Sequence, residues 1–165
     1  MKPTVENAEE QLTRMVEEYQ TMLLRTCSLM LKDVSLARDA VQVTYLKAYK
    51  GLNQFRGECS EKTWLTRIAV NVCRDMMKDS WHQFVDRRAD ISNLPEAGAP
   101  FEHSEDRLIG QVLRLPKRYR FPILLYYYQD MNLTETARAL GISVSTALRR
   151  LKAAEKRLRA VMEEE

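Results

Sequence analysis

The chain has 165 residues, with 26 Lys and Arg against 23 Asp and Glu, a formal net charge of +3 and 45% hydrophobic residues. That length suits one ordinary domain or two small ones, and the apolar fraction excludes a wholly disordered chain. No apolar run approaches the roughly 18–20 residues that a membrane span needs.

The first residues, Met1 to Glu10, are acidic and polar, unlike the basic start and apolar middle of a secretory signal, so a cytoplasmic protein is expected. From Leu12 the apolar side chains fall at Met15, Val16, Tyr19, Met22, Leu23, Cys27, Met30 and Leu31, the i, i+3, i+4, i+7 spacing of an amphipathic helix. Asp33 and Ser35 offer a break and a new N-cap. A second stripe predicts a helix with Ala37, Val41, Thr44, Tyr45, Ala48, Tyr49 and Leu52 facing inward. A polar loop, Asn53 to Cys59 with Gly57, follows. Ser60 is then placed to cap a third helix whose buried face holds Trp64, Leu65, Ile68, Ala69, Val72, Cys73 and Met76.

Residues 89–106 have no sustained apolar period and contain Pro95, Gly98 and Pro100. They divide the charge sharply. Residues 1–88 carry a net +2, residues 89–106 carry −5 with no basic side chain, and residues 107–165 carry +6. The expected organisation is all-α: a helical domain over 1–88, a flexible acidic linker over 89–106, and a second small helical domain over 107–165. A negative tether would stay off DNA and let the basic C-terminal part fold back on the N-terminal one.

In the C-terminal part, Ser104 can open a short helix through Leu108, Ile109, Val112 and Leu113, stopped by Pro116. The segment Phe121 to Tyr128 forms the next, with Pro122 in its first turn or kinking it. Then Thr134 to Ser143 reads as a cap, a short helix, a Gly141 turn and a new cap at Ser143. The final helix turns Ala147, Leu151, Ala154, Leu158 and Val161 inward. It leaves Ser145, Thr146, Arg149, Arg150, Lys152, Lys156 and Arg157 outward. This is the spacing of a helix-turn-helix whose basic second helix suits a DNA major groove. A merely solvated helix face is the competing explanation of those charges.

Three cysteines at wide spacing (Cys27, Cys59, Cys73) and two histidines (His82, His103) form no zinc-like cluster, and Cys27 and Cys73 fall on core stripes. No Gly-rich phosphate loop, metal cluster or Ser/His/Asp arrangement suggests an enzyme, a cofactor, a small-molecule substrate or a metal.

Two stretches carry a resemblance. One runs from Ala37-Arg38-Asp39-Ala40 through Phe55-Arg56-Gly57-Glu58 to Thr63-Trp64-Leu65-Thr66-Arg67-Ile68-Ala69-Val70-Asn71. The other runs from Leu115-Pro116-Lys117-Arg118-Tyr119-Arg120 through Leu151. In this order and separation they resemble bacterial RNA polymerase sigma factors of the extracytoplasmic-function (ECF, sigma-70 group 4) class, over about Leu12 to Leu158. The resemblance implies a sigma-2-like bundle and a sigma-4-like helix-turn-helix domain in a dissociable, non-enzymatic specificity subunit. Its implied partners are core RNA polymerase, promoter DNA and an anti-sigma factor, which in this family is often membrane-bound.

The resemblance also assigns residues. Asp39, Gln42, Tyr45 and Lys47 match the surface laid on the polymerase, with Val43 where a Glu usually follows the Gln. Phe55, Arg56, Trp64 and Asn71 match the −10 element reader, where Asn71 corresponds to the residue that contacts a flipped base. Arg67, Arg74 and Lys78 are its expected backbone contacts. Trp64 serves equally well as a core tryptophan. At the −35 reader, Ser145, Thr146, Arg149, Arg150, Lys152 and Lys156 are expected in the groove. There, Leu148, Ala153 and Glu155 stand where basic residues are frequent. A polymerase-independent helix-turn-helix regulator is the alternative reading, and a helical adaptor without a nucleic-acid role is a third.

Overall fold

The structure, a computed structural model, describes residues 5–79 and 103–164. Most of the expected tether, up to residue 102, lies outside them. All the regular elements among the described residues are helical.

Three helices form the N-terminal unit: α1 (Val5–Leu31), α2 (Val34–Gly51) and α3 (Glu61–Asp79). Between α1 and α2 the chain turns through Lys32 at φ 57°, and Asp33 caps α2 by accepting the Leu36 N–H at 3.1 Å. The buried face of α2 is built largely of Ala37, Ala40, Val41, Thr44 and Ala48, small side chains that let it lie close to α1. Thr44 is satisfied there by donating to the Ala40 carbonyl at 2.7 Å. Met15, Leu23, Cys27 and Met30 of α1 and Leu65, Ala69 and Cys73 of α3 complete this core. Each fully buried large apolar side chain contributes about 1.5–3 kcal/mol.

After α2, a 3₁₀ turn (Leu52–Gln54) leads into the loop, where Gly57 adopts φ 73°. Ser60 ends the loop as expected, its hydroxyl accepting the Thr63 N–H at 3.1 Å.

The C-terminal unit contains α4 (His103–Arg114), α5 (Lys117–Ile123), α6 (Leu133–Leu140) and α7 (Val144–Glu163). Helix α4 opens at His103, so the last residues of the proposed 89–106 linker are helical. Pro122 sits near the end of α5, not in its first turn. Its nitrogen cannot donate to the carbonyl four residues back, and the helix relaxes into a π turn over Leu124–Tyr128. The cap of α6 is Asn132, not Thr134: Asn132 Oδ1 accepts the Glu135 N–H at 2.8 Å while Glu135 Oε2 accepts the Asn132 N–H at 2.9 Å.

Gly141 closes α6 at φ 67°. The Ile142 and Gly141 amides donate to the Ala137 and Arg138 carbonyls at 3.0 and 3.2 Å. Ser143 then caps α7 by accepting the Thr146 N–H at 3.2 Å. The helix-turn-helix geometry expected from the sequence is present.

The two units pack directly against one another. Helix α6 lies on α3, and α5 with its π turn lies against the C-terminal half of α1. That second contact explains why Thr26, Ser28 and Leu29, off the predicted α1 stripe, are also buried. Conversely Tyr49, Leu108 and Val161, each expected inward, are more than a third exposed.

Candidate nucleic-acid interface

Along α3 the positions 64, 67, 71, 74 and 78 recur at three- and four-residue steps, so their side chains share one face. Arg67, Asn71 and Lys78 are exposed there, while Trp64 and Arg74 are half-buried. Trp64 is partly packed and partly open. Its ring packs over Gly51 on one side and stacks on Phe55 at 4.7 Å between centroids and 29° between planes. The pair forms a half-open aromatic wall.

Beside this wall lies a cavity of about 480 Å³ lined by residues of the 54–67 stretch, including Phe55, Arg56, Cys59, Trp64 and Arg67, and by Arg138 of α6. A flat apolar wall flanked by guanidinium groups is what an unpaired base and its phosphate require, with stacking on one side and charge on the other. Asn71, one turn beyond Arg67, offers both a donor and an acceptor to a base edge.

Arg74 is committed elsewhere. It donates to the Leu140 carbonyl at 3.0 Å, and its pKa is lowered by burial and by the neighbouring Arg150. A cation of each expected reader, Arg74 of α3 and Arg150 of α7, thus lies within electrostatic reach of the other. Arg138, exposed on α6, donates to the Glu58 carbonyl at 2.7 Å and so closes one side of the loop cavity. Nothing local in the sequence marks Arg138, since its role exists only once α6 is packed on α3.

On α7, Ser145, Arg149, Lys152 and Lys156 are exposed on adjoining turns, with Arg150 and Thr146 half-buried at the side. Leu148, where the family often has a base, is 38% exposed on the same helix. Glu155 is used within its own unit, accepting the Tyr127 hydroxyl at 2.5 Å and raising that phenol to about 12. Arg157 turns away to lie 4.5 Å from the Tyr119 ring centroid.

On α2, Asp39, Gln42 and Lys47 are exposed, but Tyr45 is not beside them. Its ring packs into the bundle and its hydroxyl is buried without a partner. Burial, with Cys27 close by, pushes its pKa up to about 12. Tyr45 is therefore partly buried against the core, as its place on the predicted stripe implied, unlike the other three residues of the expected polymerase-facing set. The exposed apolar residues of α2 are Val43, Leu46 and Tyr49, with Leu46 the most open at 62%. Leu46 lies off the apolar stripe, a signal already present in the sequence.

The sigma-70 region 2 family model matches residues 15–83, and the sigma-70 region 4 model matches residues 105–158. The chain is similar to the ECF RNA polymerase sigma factor SigW of Bacillus subtilis, 27% identical over 152 residues, covering 82% of this chain and 80% of the relative. SigM of Mycobacterium tuberculosis is 29% identical over 122 residues, covering 74% of this chain and 62% of the relative. In three dimensions it is similar to RpoE of Bartonella quintana, solved in complex with the anti-sigma factor NepR. That likeness has a TM-score of 0.78 at 18% identity and covers 93% of this chain and 98% of that one. CnrH, solved with the cytosolic domain of CnrY, gives 0.72 at 23% identity over 95% and 90%.

Proposed function

Since the chain belongs to the sigma-70 family, in its ECF class, we propose that it binds core RNA polymerase and directs it to promoters whose two elements it reads with separate units. The N-terminal unit, within residues 1–88, captures an unpaired base of the −10 element between the Phe55–Trp64 wall and Asn71. Arg56, Arg67, Arg74 and Lys78 hold the phosphates. The C-terminal unit, within 107–165, places α7 in the major groove of the −35 element through Ser145, Thr146, Arg149, Arg150, Lys152 and Lys156. Asp39, Gln42 and Lys47, joined by Val43, Leu46 and Tyr49, form the polymerase-facing surface of α2. An anti-sigma factor is a further partner in this reading, and the cytoplasm its place of action; none of the helices in the described residues is long and apolar enough to cross a membrane.

One observation carries the reading. A stacked aromatic wall, a cavity and an exposed Asn71 share one face of α3, in a chain that also holds a helix-turn-helix with a basic outer face. A groove-binding regulator has no use for the first of these. The test is transcription reconstituted from core polymerase, this protein and promoter-bearing DNA. Transcripts that start at discrete promoters only when the protein is added are expected, and their absence with a folded protein would overturn the reading. Arg149→Ala is expected to narrow the discrimination between matched and mismatched −35 elements by about 5- to 100-fold, the weight of one base contact. Unchanged discrimination in the same assay would remove Arg149 from the reader.

A further inference from the structure

The first two turns of α7 carry two exposed apolar side chains that its packing does not require. Val144 is 44% exposed and Leu148 38%, one turn apart, and Lys152 continues their row at the next four-residue step. The helix seats itself without them, through Ala147, Leu151 and Ala154. Single apolar residues at a surface are ordinary. These two adjoin one another at the end of the helix that reaches base edges in a helix-turn-helix, and cations follow directly.

The polar groups at this end discriminate bases weakly. The Ser143 oxygen accepts the Thr146 N–H at 3.2 Å, donates to the Thr146 hydroxyl at 2.8 Å and lies 3.2 Å from the Ser145 hydroxyl. The hydroxyls of the first turn are thus drawn into the cap, and a hydroxyl pairs with donors and acceptors alike. Among the exposed residues from 144 to 149, only Arg149 is built for a two-point bond, which suits guanine. What remains to read sequence there is apolar. The C5-methyl of thymine is the apolar group that a base pair presents in the major groove. Val144 and Leu148 stand about 6 Å apart along the helix axis, close to two base-pair steps of about 3.4 Å.

We propose that Val144 and Leu148 read thymine methyl groups, so that the element bound by α7 carries thymine against these two side chains. The proposal deepens the −35 reading above and rests on it for the placement of α7 in the groove. A basic residue at position 148 seeks the O6 and N7 atoms of guanine; Leu148 exchanges that preference for thymine.

The test is selection from duplexes randomised across the −35 region, using core polymerase loaded with the full chain. Thymine is expected at one or two positions of the selected element. Replacing such a thymine with deoxyuridine removes the methyl group and no hydrogen-bonding atom. That exchange is expected to weaken wild-type binding about fourfold, the weight of one buried methyl-sized group, and to leave Leu148→Ala indifferent at its position. Val144→Ala is expected to become indifferent at the second thymine. Leu148→Arg is expected to turn the preference at its position from thymine to guanine. All three changes fall on exposed positions and leave the buried face of α7 intact.

No selected thymine, or a deoxyuridine penalty of equal size in wild type and both alanine variants, would overturn the proposal. So would a loss of binding by Leu148→Ala that is the same on every DNA sequence, which would mark the pair as a protein contact. Transcripts from discrete promoters in those cases would leave the sigma-factor reading in place. Conversely, methyl-dependent selection by the chain alone, with no promoter-dependent transcription, would keep the thymine contacts and remove the polymerase-dependent reading.

Discussion

Asn71→Ala is expected to lower promoter opening by about 10- to 100-fold, the weight of a lost two-point contact to a base edge, while leaving binding to core polymerase unchanged. Asn71 is exposed on α3, so its truncation leaves no buried group unpaired and no void in the bundle. The expected signature is therefore separable: complexes form, but thymines around the start site stay unreactive to permanganate. In the proposed reading, Phe55 and Trp64 serve the same step differently: a base stacked on their wall would regain what it loses on leaving the duplex. Normal permanganate reactivity with Asn71→Ala would show that the base is held by the wall alone.

The second large effect falls on stability. Arg120 is 4% exposed and has no carboxylate partner among the described residues; it donates to the Leu115 carbonyl at 3.0 Å within its own unit and to the Met30 carbonyl at 2.9 Å in the N-terminal unit. Burial pulls its pKa down to about 10. The Met30 carbonyl is among the last of α1, where unsatisfied carbonyls concentrate partial negative charge, and this is what holds a cation there. Arg120→Ala strips both carbonyls of their donor and leaves a void, at about 2–5 kcal/mol. At about 2–4 °C per kcal/mol for a chain of this size, thermal unfolding should fall by roughly 10 °C. A melting temperature within a degree or two of wild type would mean that water replaces the guanidinium at no loss.

Much of each unit was legible because its signals are local. Asp33, Ser60 and Ser143 cap helices where the sequence placed caps, and Gly141 has the left-handed backbone a short turn needs. Where local reading failed, a neighbour along or across the chain had intervened. The cap at Asn132 was missed although Asn132 and Glu135 have the spacing of a reciprocal cap, because Thr134 is also a capping residue type. Tyr49 was assigned inward on periodicity, but it stands at the edge of the α2 stripe and remains on the open face, 39% exposed. Val161 lies in a last turn whose neighbours are also exposed, so there is no core left for it to enter.

The candidate site divides in the same way. The α3 face and the outer face of α7 follow from helical spacing alone, and the resemblance then supplied their chemistry. Arg138 over the cavity, Gln129 on the Thr26 and Thr66 hydroxyls and Arg74 on the Leu140 carbonyl depend on how two units meet, and no periodicity within either one encodes that.

Pro122 ties these levels together. By denying α5 one backbone bond, it opens the wider turn at whose end Gln129 stands, and an inserted residue rotates everything after it by about 100°. The bond lost inside the C-terminal unit is thus offset by bonds made to its neighbour. Folding of that unit and docking of the two are thermodynamically linked, and the free chain should melt as one cooperative body.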